Sequence, residues 1–151
     1  MPDPGALHIR PVLPADRLVW SGLWTQYLAF YETVLPTEVF DATFARLTDP
    51  AGVLHGHLAW EGDRALGLVH HFLHPTCWTV GPVCYLQDHY TLPEARGRGV
   101  ARALMERVFA EADAAGAPDV YWHTAENNDA GRMLYDRIGQ LTRHIKYRRA
   151  G

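Results

Sequence analysis

Six residues, Arg96-Gly97-Arg98-Gly99-Val100-Ala101, join a strand-like run at 83–91 to an amphipathic helix that opens at Val100. The start of a helix offers backbone N–H groups that have no intrahelical partner. It also offers the positive end of the helix dipole, so an anion settles there. Gly97 and Gly99 let the backbone approach that anion closely, and Arg96 and Arg98 add positive charge beside it. The chemistry implied is the holding of a pyrophosphate. The Walker pattern is absent, because no Lys-Ser or Lys-Thr follows Gly99. The Rossmann pattern G-x-G-x-x-G fails because residue 102 is Arg, and because the motif lies two-thirds along the chain and not in a first βα turn. The pattern that fits is Arg-x-x-Gly-x-Ala.

The elements that position this loop follow from period and punctuation. Residues 7–13 alternate as a first strand. Pro14-Ala15-Asp16 opens a helix whose Leu18, Trp20, Leu23, Trp24, Tyr27, Leu28 and Tyr31 recur at helical spacing. Pro36-Thr37-Glu38 begins a second helix striped by Phe40, Phe44 and Leu47, ending before Asp49-Pro50. Residues 53–60 alternate, 61–64 turn, and 65–74 return as a hairpin partner. After a loop at 75–82 comes the strand at 83–91. The helix behind the motif carries 100, 104, 108 and 101, 105, 109 on one face and ends at Gly116-Ala117-Pro118. Residues 120–124 read as a short strand. Residues 128–138 read as a helix burying Met133, Leu134 and Ile138, with Gly139 at its C-terminus. Residues 145–147 read as a last strand. The order β-α-α-β-β-β-α-β-α-β is a mixed α/β sheet in one domain over residues 1–151, with its core at about 7–149.

The 151 residues are 48% hydrophobic, enough for a packed core. Nothing in the chain approaches a membrane-spanning apolar run, and Met1-Pro2-Asp3-Pro4-Gly5 is a short polar lead with no signal-peptide pattern. A cytoplasmic protein is the expectation, with Cys77 and Cys84 reduced. A net charge of −3 argues against nucleic acid as a partner.

The loop and this element order together resemble the GCN5-related N-acetyltransferase (GNAT) superfamily over essentially the whole chain. Residues Val120-Tyr121-Trp122-His123-Thr124, Asn128-x-x-Gly131-x-x-Leu134-Tyr135, Tyr27-Leu28-x-Phe30-Tyr31, Thr43-Phe44-Ala45-Arg46-Leu47, Thr76-Cys77-Trp78 and Ile145-x-Tyr147-Arg148-Arg149 resemble its histone/polyamine subgroup. The resemblance implies acetyl-coenzyme A as co-substrate and a primary amine, polyamine-like or lysine, as acceptor. Other readings of the acceptor are an amino acid or antibiotic-like amine, and a coenzyme A-binding sensor is a non-enzymatic reading. The pantetheine arm would lie between residues 85–91 and 120–124. The cofactor-binding set implied is His89, Thr91, Arg96, Gly97, Arg98, Gly99, Val100, Ala101, Asn128 and Tyr135. Tyr135 would donate to the departing sulfur, and residues 141–149 would pair two copies into a homodimer.

Where the family often has Glu-Asp, this chain has Gln87-Asp88, and Gln87 cannot ionise. An alkylamine of pKa near 10.4 costs roughly 4.6 kcal/mol to deprotonate at pH 7, so some group or water must take the proton. Asp88 is the nearest carboxylate and His89 the nearest imidazole. They face opposite sides of a strand, and Gln87 shares the face of His89. Asp88 is either that base or a hydrogen-bonding anchor of the sheet, and His89 either a base or a packed histidine. Glu32, Glu38 and Asp41 could line a cationic entry or form a solvated face. No metal is expected: His70, His71 and His74, at i, i+1 and i+4 on a strand, do not share one face. Gly131 stands where Ala or Ser is usual and weakens its helix.

Overall fold

The computed structural model describes residues 5–151, so most of the polar lead lies outside the described residues. The strands β1 (Leu7–Pro11), β2 (His55–Glu61), β3 (Arg64–His74), β4 (Val83–Thr91) and β5 (Val120–Tyr121) form one sheet in sequence order. The first four are antiparallel, while β5 joins β4 in parallel through two register pairs, Cys84 with Val120 and Tyr85 with Tyr121. The helices are α1 (Arg17–Phe30), α2 (Thr37–Leu47), α3 (Val100–Ala114) and α4 (Asp129–Ile138).

Two layers cover the sheet, each with the apolar stripe its period predicts. On one face α1 buries Trp20, Leu23, Trp24 and Leu28, and α2 buries Phe44 and Leu47. On the other face α3 buries Val100, Leu104, Met105, Val108 and Ala112. Burial of this kind stabilises by about 25 cal/mol per Å² of apolar surface removed from water. Leu18 falls off the α1 stripe and is exposed.

One irregularity shapes the site. His70 pairs with Asp88, but the next residue, His71, pairs with Leu86, so Gln87 is an extra residue bulged out of β4. A bulge re-aims the side chains of its strand, and pairing with β3 resumes beyond it. Beyond Tyr85 the partner strand is lost, and residues 122–124 leave the sheet although their sequence reads as strand. The expected strand at 145–147 does not form either: residues 140–151 take no strand or helix, and Leu141, Ile145 and Tyr147 are exposed. A strand needs a neighbour for its backbone groups, and a two-residue β5 offers no edge long enough.

Two further expectations are corrected. Met133 is exposed, because α4 lies at the rim with no fully buried residue. Gly139 is extended, with φ −137°, and is not a left-handed cap; the Trp122 ring lies where its Cβ would project.

Candidate active site

Between the diverging β4 and residues 122–124 opens a cavity of about 580 Å³, within the usual size of a small-molecule site. One wall carries Gln87, His89 and Thr91 from β4, and the facing wall carries Trp122, His123 and Thr124. The floor at one end is the loop Arg96–Ala101. Gly97 and Gly99 sit at φ +76° and +80°, the left-handed region where a side chain strains the backbone. Gly99 is the N-cap of α3. The helix ladder starts with Ala103 N donating to Gly99 O at 3.0 Å, so the N–H groups of Val100, Ala101 and Arg102 precede it.

The loop arginines divide. Arg96 lines the cavity, whereas the Arg98 side chain turns out to pair with Glu61 at the end of β2. Arg98 therefore does not line the cavity, against the expectation that it adds charge beside the anion. Arg102, in the first turn of α3 and not anticipated from the sequence, lines the cavity instead. The Thr91 hydroxyl is buried with no hydrogen-bond partner, a polar atom left over on the cavity wall. Free N–H groups, two left-handed glycines, arginines and an unspent hydroxyl along a split between strands fit the pyrophosphate and amide-rich arm of coenzyme A.

Asn128 caps α4: its Oδ1 accepts from Gly131 N at 3.3 Å, and its Nδ2 donates to Thr124 Oγ1 at 2.9 Å. A Cβ at Gly131 would strike that side chain, so this glycine makes room for the cap and is more than a weak point in the helix.

Asp88 and His89 do face opposite sides. Asp88 accepts from the Tyr27 hydroxyl at 2.8 Å and from His70 Nδ1–H at 3.0 Å. The tautomer of His70 is fixed because Trp20 Nε1–H donates to its Nε2 at 3.0 Å. Both oxygens of Asp88 are therefore engaged beneath α1, and Asp88 does not line the cavity. His89 does. Its Nε2–H donates to Ala101 O at 3.2 Å, and its Nδ1 faces the Tyr135 hydroxyl at 3.4 Å. Burial pushes His89 down to about 4, against a smaller upward pull from its bond to Ala101. Burial pushes Tyr135 up to about 12.

The other end of the cavity is lined by Tyr27, Phe30 and Tyr31 at the end of α1, with Leu86 and Tyr90. Tyr31 is exposed there, so the aromatic stripe of α1 is core at Trp20 and Trp24 and cavity wall at Tyr27 and Tyr31. Glu32, Glu38 and Asp41 do not reach the lining; Asp41 pairs with Arg17 on the outer surface. No Asp or Glu lines the cavity among the described residues, whereas Arg96, Arg102 and Arg137 do.

The profile of the Acetyltransferase (GNAT) family matches residues 20–140. The D-amino-acid N-acetyltransferase HPA3 of Saccharomyces cerevisiae is 40% identical over 145 residues, covering 95% of this chain and 90% of that protein. Among solved structures, the aminoglycoside N-acetyltransferase AAC(6')-Iy in complex with CoA is similar at a TM-score of 0.82. It is 22% identical and covers 99% of this chain and 98% of that one. A ribosomal-protein-alanine N-acetyltransferase from Brucella melitensis biovar Abortus 2308 is similar at a TM-score of 0.81. It is 18% identical, with 97% and 99% covered. At these identities the structures speak for the fold alone. No helix of the described residues is long and apolar enough to cross a membrane. The chain belongs to the GNAT acetyltransferase family and is an acetyl-CoA-dependent N-acetyltransferase.

Proposed function

We propose that the acceptor is the α-amine of a free amino acid, with the D-enantiomers first in line, and not a polyamine or a protein lysine. The observation that carries this reading is the lining itself. A polyamine has further cationic centres that require carboxylates, and the cavity wall has none; an amino acid brings a carboxylate, and the wall has arginines. Arg96 and Arg102 stand at the phosphate loop. Arg137, on α4, is left for the acceptor carboxylate. The yeast relative that acts on D-amino acids supports the same class.

Acetyl-CoA supplies an activated acetyl thioester. The amine nitrogen forms the new bond to the acetyl carbon as the carbon–sulfur bond breaks. Tyr135 is then the group for the departing sulfur. With its phenol at about 12 and a thiol near 8.5, full proton transfer is uphill by about 5 kcal/mol. Tyr135 therefore acts as a hydrogen-bond donor to developing negative charge. His89 is a positioning residue: one nitrogen is spent on Ala101 O and the other is directed at Tyr135. With Asp88 doubly engaged and Gln87 unable to ionise, the amine gives its proton to water in the open cavity.

The test is thiol release from acetyl-CoA by the purified chain with D- and L-amino acids, spermidine, a lysine peptide and an aminoglycoside. D-amino acids should give the highest kcat/KM. Preference for spermidine or the peptide removes the proposal. We also assign residues 141–149, with Leu141, Ile145 and Tyr147 exposed, to pairing with a second copy. A monomer at all concentrations in sedimentation would remove that assignment.

A further inference from the structure

On the sheet face away from Asp88, β2, β3 and α3 bring together His57, His71 and Glu111. One ligand-type atom from each lies within 4.8 Å of the others. Both imidazoles are buried, and their rings stack at 5.6 Å between centroids and 18° between planes. His57 Nε2 lies 2.8 Å from Glu111 Oε1, and His71 Nε2 lies 3.3 Å from Glu111 Oε2. Each ring's Nδ1 is buried with no partner.

We propose that His57, His71 and Glu111 form a binding site for a zinc-class divalent cation, separate from the acetyl-transfer cavity. Imidazole nitrogen and carboxylate oxygen suit such ions, at about 2.0–2.2 Å from the metal. In a tetrahedron of such bonds, neighbouring ligand atoms are about 3.3 Å apart. The nitrogen–oxygen separations, 2.8 Å to Oε1 and 3.3 Å to Oε2, run to the two oxygens of one carboxylate, so a tetrahedral ion would take one oxygen and draw the three ligand atoms, now within 4.8 Å of one another, closer together. The carboxylate is held by Arg107, whose Nε donates to Glu111 Oε1 at 3.1 Å and whose guanidinium also reaches Ile9 O. An outer hydrogen bond of this kind orients a ligand. In this proposal the fourth position would fall to His55. His55 lies two residues before His57 on the same strand face, is exposed, and has its ring 5.3 Å from that of His71. The Nε2 atoms either donate to Glu111 or, with that proton moved to Nδ1, turn a lone pair to the cation. The bound ion would tie β2 and β3 to α3, the helix whose first turn forms the phosphate cradle.

The test is equilibrium binding of Zn²⁺ to the chelator-treated full chain, with Co²⁺ as the spectroscopic probe. One ion per chain is expected, with the visible absorption of tetrahedral Co²⁺ displaced by Zn²⁺, and a rise in Tm on addition of Zn²⁺. His57→Gln and Glu111→Gln should each weaken binding by more than about 100-fold, beyond the loss from an outer supporting residue. His144→Ala, on the exposed tail, should leave binding unchanged. His55→Ala, at an exposed position that leaves the core intact, should weaken binding and change the Co²⁺ spectrum even where the buried variants fail to fold. Absence of the Co²⁺ spectrum in the wild type, or equal binding by all variants, overturns the proposal.

Discussion

The two ends of the cavity are built differently. The end we propose for the phosphates is a dozen consecutive residues, 91–102, and offers backbone: left-handed glycines, open N–H groups and a helix start. The end we propose for the acceptor draws on side chains from separate elements that line the cavity: Tyr27, Phe30 and Tyr31 on α1, Gln87 in the β4 bulge and, in that proposal, Arg137 on α4. A site made of backbone geometry is written in neighbouring residues. A site made of side chains exists only after folding, and the same fold can carry different acceptors by changing them.

The largest expected effect falls where the two ends meet. Tyr135→Phe removes one donor to developing charge and should lower kcat by about 100- to 1000-fold with little change in the KM for acetyl-CoA. An unchanged kcat would show that transfer does not rely on this phenol. Beside it, His89 gives an acid-side stability effect. The unfolded imidazole takes a proton near 6.5 and the folded one resists until about 4. Its contribution is thus complete above pH 6.5, is lost as pH falls toward 4, and amounts to about 3 kcal/mol. Chemical denaturation of the wild type across that range should show the loss, and His89→Gln should flatten it. Equal slopes in both proteins would contradict a buried neutral imidazole.

Next come two variants that separate the ends. Gly99→Val forces a β-branched residue to φ +80° at the helix start, a strain of about 1–3 kcal/mol. Steady-state kinetics should show it as a raised KM for acetyl-CoA with the acceptor KM unmoved. Arg137→Ala should do the reverse, raising the amino acid KM by about tenfold, the range of one charge-assisted hydrogen bond. If both variants moved the same KM, the division into two ends would fail.

The sequence carried what period and punctuation encode. The stripes of α2 and α3, that of α1 apart from Leu18, the hairpin at 61–64 and the glycine turn before α3 lie where the sequence places them, because each is set by residues close in the chain. The misreadings share a physical cause. Strand-like residues at 122–124 and 145–147 lack a pairing edge, which no local propensity reports. Arg96 and Arg98 look equivalent in the sequence, and only the place of Glu61 at the end of β2 shows that Arg98 turns away. His57, His71 and Glu111 are dispersed over 54 positions and meet through the register of β2 with β3 under α3. His70, His71 and His74 do not share one set of contacts: His70 meets Trp20 and Asp88, His71 meets Glu111, and His74 meets Tyr121.

The smallest expected change in activity is at Asp88, and it is the most discriminating. Asp88→Asn leaves one acceptor where two donors meet: with its Oδ1 on His70 Nδ1–H, its Nδ2 faces the Tyr27 hydroxyl, whose proton loses its acceptor. His70 cannot relieve this by moving its proton to Nε2, because Trp20 N–H occupies that nitrogen. A buried network with one unmatched member costs about 1–3 kcal/mol. Thermal unfolding should therefore show a clear loss of stability, while kcat/KM below the Tm stays within about threefold of wild type, a barrier change under 1 kcal/mol. Were Asp88 the base that frees the amine, the outcome would invert: kcat/KM would fall by the 100- to 10,000-fold typical of a lost general base, roughly 3–5 kcal/mol. The ratio of the two losses in one variant thus decides whether this carboxylate serves the sheet or the reaction.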